Sequence, residues 1–430
     1  MTTANPFDRP VDGRARDGAR PARRPGPLAP LRHWVGSVRE ALDRPLTSYY
    51  LLLGASALLL TIGVIMVLSA SSVYSFEQNN GDSYAVVKRQ LMWVAIGIPC
   101  AWLASRLPQS TIRRFAWLGV GVSIVLLLLL RVPSLGRTVN GNTNWLGVGP
   151  LVIQPAEIAK LAIVLWAAHV YARKERRLGK LSEVIVPVVP GLLLVIGLVV
   201  LGHDLGTGLV LAAILLAMLW VVGAPGRMFT ISLTVVGVLA IALASASPER
   251  LQRITNFADP FKDFHNAGWQ PAHGLFALSS GHILGQGIGA SQQKWGDLPE
   301  AHTDFIFAVL GEELGLVGTL LVIGLFLTIA YAAIRVASRT QDPFVRYLTF
   351  GVVVWLLGQM IINVGMVLAL LPVIGIPLPL VSYGGSALVP SLVALGVLIG
   401  FARREPEAAR ALAQRRRARS AGLAAGRLPD

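Results

Sequence analysis

The sequence predicts an all-α polytopic membrane protein with about ten transmembrane helices, both termini cytoplasmic, and a large folded extracytoplasmic loop between helices seven and eight. Three observations carry this. Of 430 residues, 54% are hydrophobic and 14% charged, against roughly 25% charged in a soluble domain. Apolar stretches near the ~20 residues that cross a bilayer recur along the chain. The 38 Lys and Arg gather at the ends and in alternate connections instead of spreading evenly.

Residues 1–47 are rich in Arg, Pro, Ala and Gly and contain no apolar run. That composition excludes a cleavable signal peptide and suits a disordered basic cytoplasmic tail. The expected spans follow as Ser48–Leu68, Val87–Ala104, Phe115–Val132, Ile153–Ala172, Val184–Leu201, Leu205–Val222, Met228–Ser245, Phe305–Ala337, Val345–Leu371 and Leu380–Phe401. The second is short and weakly apolar, and the eighth is long enough to tilt or project beyond the bilayer. Residues 48–402 form the membrane domain, and 403–430 a second basic tail.

Placing the N-terminus inside gives the inward segments 29 Lys or Arg and the outward segments eight, with Lys160 inside a span. This asymmetry puts both ends in the cytoplasm. The net charge of +15 therefore reports topology, and its placement argues against a nucleic-acid-binding surface. The tails suit anionic lipid head groups. A single cysteine, Cys100, excludes an intramolecular disulfide.

Three unusual connections face outward. The longest, 246–303, contains Trp269, Phe276, Leu278, Ile283 and Trp295, too apolar for a disordered linker, and is expected to fold back on the membrane surface. The second, 133–152, carries Asn140, Asn142, Asn144 and Trp145 among glycines. The third, 372–386, alternates Pro and Gly and ends Ser382-Tyr383-Gly384-Gly385-Ser386. Such interruptions at membrane depth are tolerated where backbone is buried in protein or lines a cavity.

Polar groups within the bilayer are functional candidates. Lys160 needs a partner, and the two available are Glu157, three residues back on the same helix face, and Asp204, at the turn opening the sixth span. Asp304 sits where the long loop enters the eighth span. It reads either as a first-turn acid favoured by the helix dipole, with Thr303 as N-cap, or as a general base beside Lys294, Glu300 and His302. Glu312 and Glu313 are turned away from Asp304 by helix rotation and are expected to pair with neighbouring helices. Gly285-Gln286-Gly287-Ile288-Gly289 lacks the context of a dinucleotide loop, and the histidines show no zinc spacing.

At these residues the chain resembles the SEDS (shape, elongation, division and sporulation) family, and its division-type members above all. The stretch Gln293-Lys294-Trp295-Gly296-Asp297-Leu298-Pro299-Glu300-Ala301-His302-Thr303-Asp304-Phe305-Ile306-Phe307, running on to Gly311-Glu312-Glu313-Leu314-Gly315, carries the likeness. Supporting matches are Ser69-Ala70-Ser71-Ser72 with Tyr74, Gln154-Pro155-Ala156-Glu157 with Lys160, Asp204-Leu205-Gly206-Thr207, and Ser382-Tyr383-Gly384-Gly385-Ser386. The resemblance covers about residues 48–402 and implies a peptidoglycan glycosyltransferase polymerising lipid II outside the cytoplasmic membrane. It implies that Asp304 is the catalytic residue and that Lys160 and Asp204 form a salt bridge in the central cavity. It also implies a class B penicillin-binding protein as partner, other division proteins, and a place in the inner membrane at the septum.

The chain departs from the family pattern at Asn144, where an arginine is usual, at Ala156, and at His203. Arg137, Arg253 or Lys294 could take the missing arginine's place beside a diphosphate. In the resulting expectation Asp304 is the base of an inverting transfer. Lys294 and Arg253 offset the diphosphate, and Glu300, His302, Trp145, Lys160, Asp204, Ser382, Gly384 and Gly385 complete the substrate-binding set. No cofactor is certain. A divalent cation, Mg2+ or Mn2+, would serve the same neutralisation, although no ligand cage is evident. The competing readings are a lipid II flippase or transporter, an elongation-type polymerase and a non-catalytic scaffold.

Overall fold

The computed structural model describes residues 44–139, 142–148, 151–245, 252, 253, 255, 257 and 259–414. The expected disordered tail up to residue 43, the tail from 415 and part of the long loop lie outside these. From Pro45 onward the chain forms one compact unit.

Each expected span overlaps helix, although the α-helix of the tenth begins at Leu388 and not at Leu380. The helices are α1 (Thr47–Gln78), α2 (Ala85–Arg106), α3 (Gln109–Leu129), α4 (Pro155–Lys174), α5 (Leu181–Ile185), α6 (Val188–Leu201), α7 (Leu205–Val221), α8 (Gly226–Ser245), α9 (Trp269–Ser280), α10 (Ile306–Arg339), α11 (Pro343–Val367) and α12 (Leu388–Arg403). Among the described residues six helical stretches are long and apolar enough to cross a membrane, and Leu205–Val221 and Gly226–Val238 are shorter apolar helices. The fifth expected span is built from α5 and α6, interrupted at Val186 and Pro187. Proline lacks the N–H that a continuous helix would use there.

One feature departs from the all-α expectation. Alternating β-formers in the second outward loop make a three-stranded antiparallel sheet in the order β1 (Gly136–Val139), β2 (Asn142–Val148), β3 (Leu151–Ile153). The long loop contains α9, whose Trp269, His273 and Phe276 cluster with Phe261 and Phe264.

Lipid offers no hydrophobic drive between helices, so close backbone approach matters. On α12, Gly396 and Gly400 sit one turn apart against α2. A Cβ on Gly396 would come within 2.2 Å of the Ala101 carbonyl oxygen, and one on Gly400 within 2.6 Å of that of Ser105. α10 packs on α1, and α4 packs on α3 and α11. Trp355, Tyr171 and Phe305 are fully buried in the interior that results.

α10 is broken at Gly315, whose φ of 66° and ψ of −165° lie in a region essentially closed to other residues. A Cβ there would meet the Gly285 amide nitrogen at 2.3 Å. The break lets residues 282–287 dock on the helix. Leu316 and Val317 donate to the His282 and Ile283 carbonyls, and Gln286 and Gly287 donate to those of Glu312 and Glu313.

Candidate active site

Asp304 lies just before α10, which begins at Ile306 and has no side-chain cap at Phe305. The expectation of Thr303 as N-cap is therefore corrected. The Thr303 hydroxyl donates to the Glu300 carboxylate at 2.6 Å. The Glu300 carbonyl accepts from both the Thr303 and Phe305 amides at 3.1 Å. This turn, with Glu300 at φ 56°, satisfies the amides and leaves the Asp304 carboxyl free of the helix end.

Asn363 of α11 donates to the Asp304 carbonyl at 2.8 Å. The half-buried Asp304 side chain faces Gly375, where a Cβ would stand 3.3 Å from its Oδ2. Burial, reinforced by the charges of Glu300 and Asp204, pushes this carboxyl from 3.8 up to about 7. Removing the charged form from water is the larger cause.

His302 is buried between aromatic rings. It stacks on Tyr74 of α1, with centroids 4.7 Å apart and planes at 28°, and lies 5.8 Å from Tyr383. Burial holds its imidazole below the ordinary histidine value, so the neutral ring prevails at pH 7. Its carbonyl accepts from the Tyr383 amide at 2.9 Å, which joins the loop before α10 to the loop before α12.

Asp204 caps α7 by accepting from the Thr207 amide at 2.9 Å. Its other oxygen accepts from the Gln154 side chain at 3.3 Å. The Gln154 amide in turn donates to the Ser386 hydroxyl at 2.8 Å. Ser382 accepts from the Leu378 amide at 2.8 Å, shaping the Pro-rich turn. Gly385, at φ 46°, packs beside the Trp93 indole nitrogen, 3.3 Å from where a Cβ would be. Thus Asp304, Glu300, His302, Asp204 and the Ser382–Gly385 turn converge.

Other expected site residues stand elsewhere. Lys160 pairs with Glu157 at 2.6 Å, both buried, and lies 5.6 Å from the centre of the Trp355 ring. The expected bridge to Asp204 is thus replaced by the nearer partner on the same helix, because three residues bring the two chains to one face. Lys294 is buried and donates to Glu313 (3.2 Å), Ser69 (3.1 Å) and the Gly289 carbonyl (2.7 Å). Its charge is already matched, which removes it from the diphosphate role. Glu312 accepts from Ser291 (2.6 Å) and from the Gln292 amide (2.9 Å), so both glutamates serve the loop.

Arg253 is exposed and lies in a crevice with Leu371 and Val373, close in sequence to Gly375. Trp145 is half-buried in β2 opposite Arg137 of β1. The Arg137 guanidinium covers Gly147, where a Cβ would fall 2.5 Å from its Nε. Asn144 is committed structurally, its amide nitrogen donating to the Gly202 carbonyl at 2.9 Å. Sequence reasoning missed Asn363, whose signal was an amide in an apolar helix, and Arg89, which reaches Asn79 (3.2 Å) and whose charge bears on the Tyr383 hydroxyl. Among the described residues no group of three His, Cys, Asp or Glu is placed to hold a metal ion.

Comparison with known proteins accords with this architecture. The family model described as cell cycle protein, spanning FtsW, RodA and SpoVE, matches residues 49–406. The chain is 40% identical over 406 residues to the probable peptidoglycan glycosyltransferase FtsW of Mycobacterium tuberculosis, covering 94% of this chain and 76% of that one. It is 36% identical over 354 residues to stage V sporulation protein E of Bacillus subtilis, covering 82% and 96%. Among solved structures, a chain of a peptidoglycan synthase complex superposes with a TM-score of 0.67 at 28% identity, covering 83% of this chain and 97% of that one. RodA of Thermus thermophilus gives 0.60 at 26% identity, covering 83% and 97%. With the ordered turn at Asp304, the aromatic clasp on His302 and a family match running from α1 past α12, the chain belongs to the FtsW, RodA and SpoVE family of cell cycle proteins, the SEDS family.

Proposed function

We propose that this chain is a peptidoglycan glycosyltransferase that polymerises lipid II into glycan strands on the outer face of the cytoplasmic membrane during division. The names of its FtsW relatives support the activity. The Lys and Arg asymmetry supports ten passes with both termini inside. The single observation that carries the mechanism is the half-buried Asp304 carboxyl, raised to about 7. A base is most effective when its pKa lies near the working pH.

In the reaction, the Asp304 carboxylate takes the proton of the acceptor's 4-hydroxyl as that oxygen attacks the donor's anomeric carbon. The bond to the diphosphate breaks and its electron pair leaves with the diphosphate. One displacement inverts the α-linked donor into a β-linked polymer without a covalent intermediate. Arg89, Arg253 and Arg137 meet the departing charge, now that Lys294 is committed to Glu313. A class B penicillin-binding protein supplies crosslinking, in keeping with the synthase complex among the similar structures.

The test is lipid II polymerisation by the purified chain with its transpeptidase partner, native against Asp304→Asn. Glycan from the native complex and none from an equally folded variant supports the assignment. Equal polymer from both overturns it. No polymer from either, alongside lipid II flipping, establishes the transporter reading instead.

A further inference from the structure

The far end of α4 holds a second site. α4 has 20 residues, so its C-terminus lies about 30 Å from its start at 1.5 Å per residue. Its start, at Gln154, touches Asp204 of the candidate active site. Its end therefore stands at the opposite membrane surface from Asp304. A cavity of about 790 Å³ opens there, bounded by the last turns of α4, the 3-10 turn Glu175–Arg177, Trp117 of α3, and Pro187 and Pro343.

Its charges are unbalanced. Arg173, Lys174, Arg176 and Arg177 line it against a single acid, Glu175. Glu175 is taken by Arg346 at 2.5 Å and by the Tyr347 hydroxyl. Lys174 is taken by Glu183 at 2.5 Å, whose charge Arg177 also meets. Exposed Arg173 and Arg176 have no ion-pair partner among the described residues. Beside Arg173, the Nδ1 of His169 is buried with no hydrogen-bond partner among them.

The opposite wall is apolar. Trp117 sets its edge against Trp166, 5.4 Å between centroids, yet is 54% exposed. Phe115 and Leu118 beside it on α3 are also exposed. Trp117 lies two residues into the apolar stretch of α3 that begins at Phe115, and a tryptophan at such a boundary marks the head-group level of a bilayer. A basic pocket between helices next to a lipid-facing wall is the arrangement that takes anionic head groups.

We propose that this cavity seats the phosphate head group of an anionic membrane phospholipid, held by Arg173 and Arg176, with the acyl chains lying along α3 past Trp117. The apolar wall favours a bilayer lipid over a free phosphate, because it gives acyl chains a surface to lie on and offers a free phosphate nothing. The proposal rests on α4 crossing the membrane and not on the reaction at Asp304, so either can fail alone.

The intact chain in detergent is titrated with phosphatidylglycerol, phosphatidylcholine and soluble glycerol phosphate, and retained ligand is counted by native mass spectrometry. Phosphatidylglycerol is expected to bind at least about tenfold tighter than the other two. Arg173→Gln with Arg176→Gln should weaken it by about tenfold or more, at ~1 kcal/mol per cation. Lys262→Gln, an exposed cation of the long outward loop, should change nothing. Equal binding of the two lipids, an unchanged double variant, or glycerol phosphate binding as tightly as the lipid overturns the proposal. Should the double variant fail to fold, the native chain decides. Brominated phosphatidylglycerol should quench the fluorescence that Trp117→Phe removes, and equal quenching by brominated phosphatidylcholine overturns the proposal.

Discussion

The amide of Asn363 donates to the carbonyls of Asp304 and Ile376, both at 2.8 Å. One buried side chain on α11 thus holds the loop bearing the carboxyl and the loop bearing Gly375. Asn363→Ala should cut the polymerisation rate by roughly ten- to a hundredfold, the scale of a misplacement near 1 Å. Two stranded carbonyls should lower stability by about 1–3 kcal/mol. Steady-state rates and thermal melts on the same preparation separate the two effects. A melt shift with an unchanged rate would show that the amide serves the fold alone.

The pH profile follows from the raised Asp304 carboxyl. The proposed base is the deprotonated form, so the rate should rise with pH through a midpoint near 7 and fall about tenfold per unit well below it. Glu300 adds to the upward shift, so Glu300→Gln should move the midpoint to lower pH. A midpoint unmoved or moved upward would contradict this electrostatic account.

The same carboxyl should weaken the fold. Its folded value of about 7 exceeds the ordinary 3.8, so the unfolded chain gives up its proton first and stability falls as pH rises between the two. Asp304→Asn should therefore melt higher than the native chain above pH 7. The gain should shrink towards pH 4, with an upper limit of about 4 kcal/mol at ~1.4 per unit. Melts at pH 4 and 8 check this, and equal differences at both would contradict it.

Lys294 and Glu313 are both buried, so breaking the pair leaves an uncompensated charge. Lys294→Met should destabilise the chain by about 3 kcal/mol or more. Adding Glu313→Gln should restore part of that loss, since the charge goes while the amide still accepts from Ser69. A double variant no more stable than the single would show that the lysine acts by shape instead.

Much of the fold was legible because lipid imposes a length and a composition on each span. Asp304 was legible as an acid at the lip of an apolar run, and Lys160–Glu157 from spacing on one helix. Lys294–Glu313 was not, because the pair is brought together by the break at Gly315, and nothing in Glu-Glu-Leu-Gly-Leu announces a break. Asn363 was hidden by its register, since its meaning depends on two loops distant in sequence. The β1–β3 sheet was masked by the glycines and asparagines around it, which read as turn.

A helix interrupted at Gly315 is a joint with two arms. The shorter arm, 306–314, starts two residues after Asp304, and its last carbonyls are gripped by residues 286 and 287. The loop carrying those residues exposes Ile283, Leu284 and Ile288. A displacement of these side chains would therefore reach Asp304. Its lever is a few residues of backbone, and its fulcrum is a single glycine.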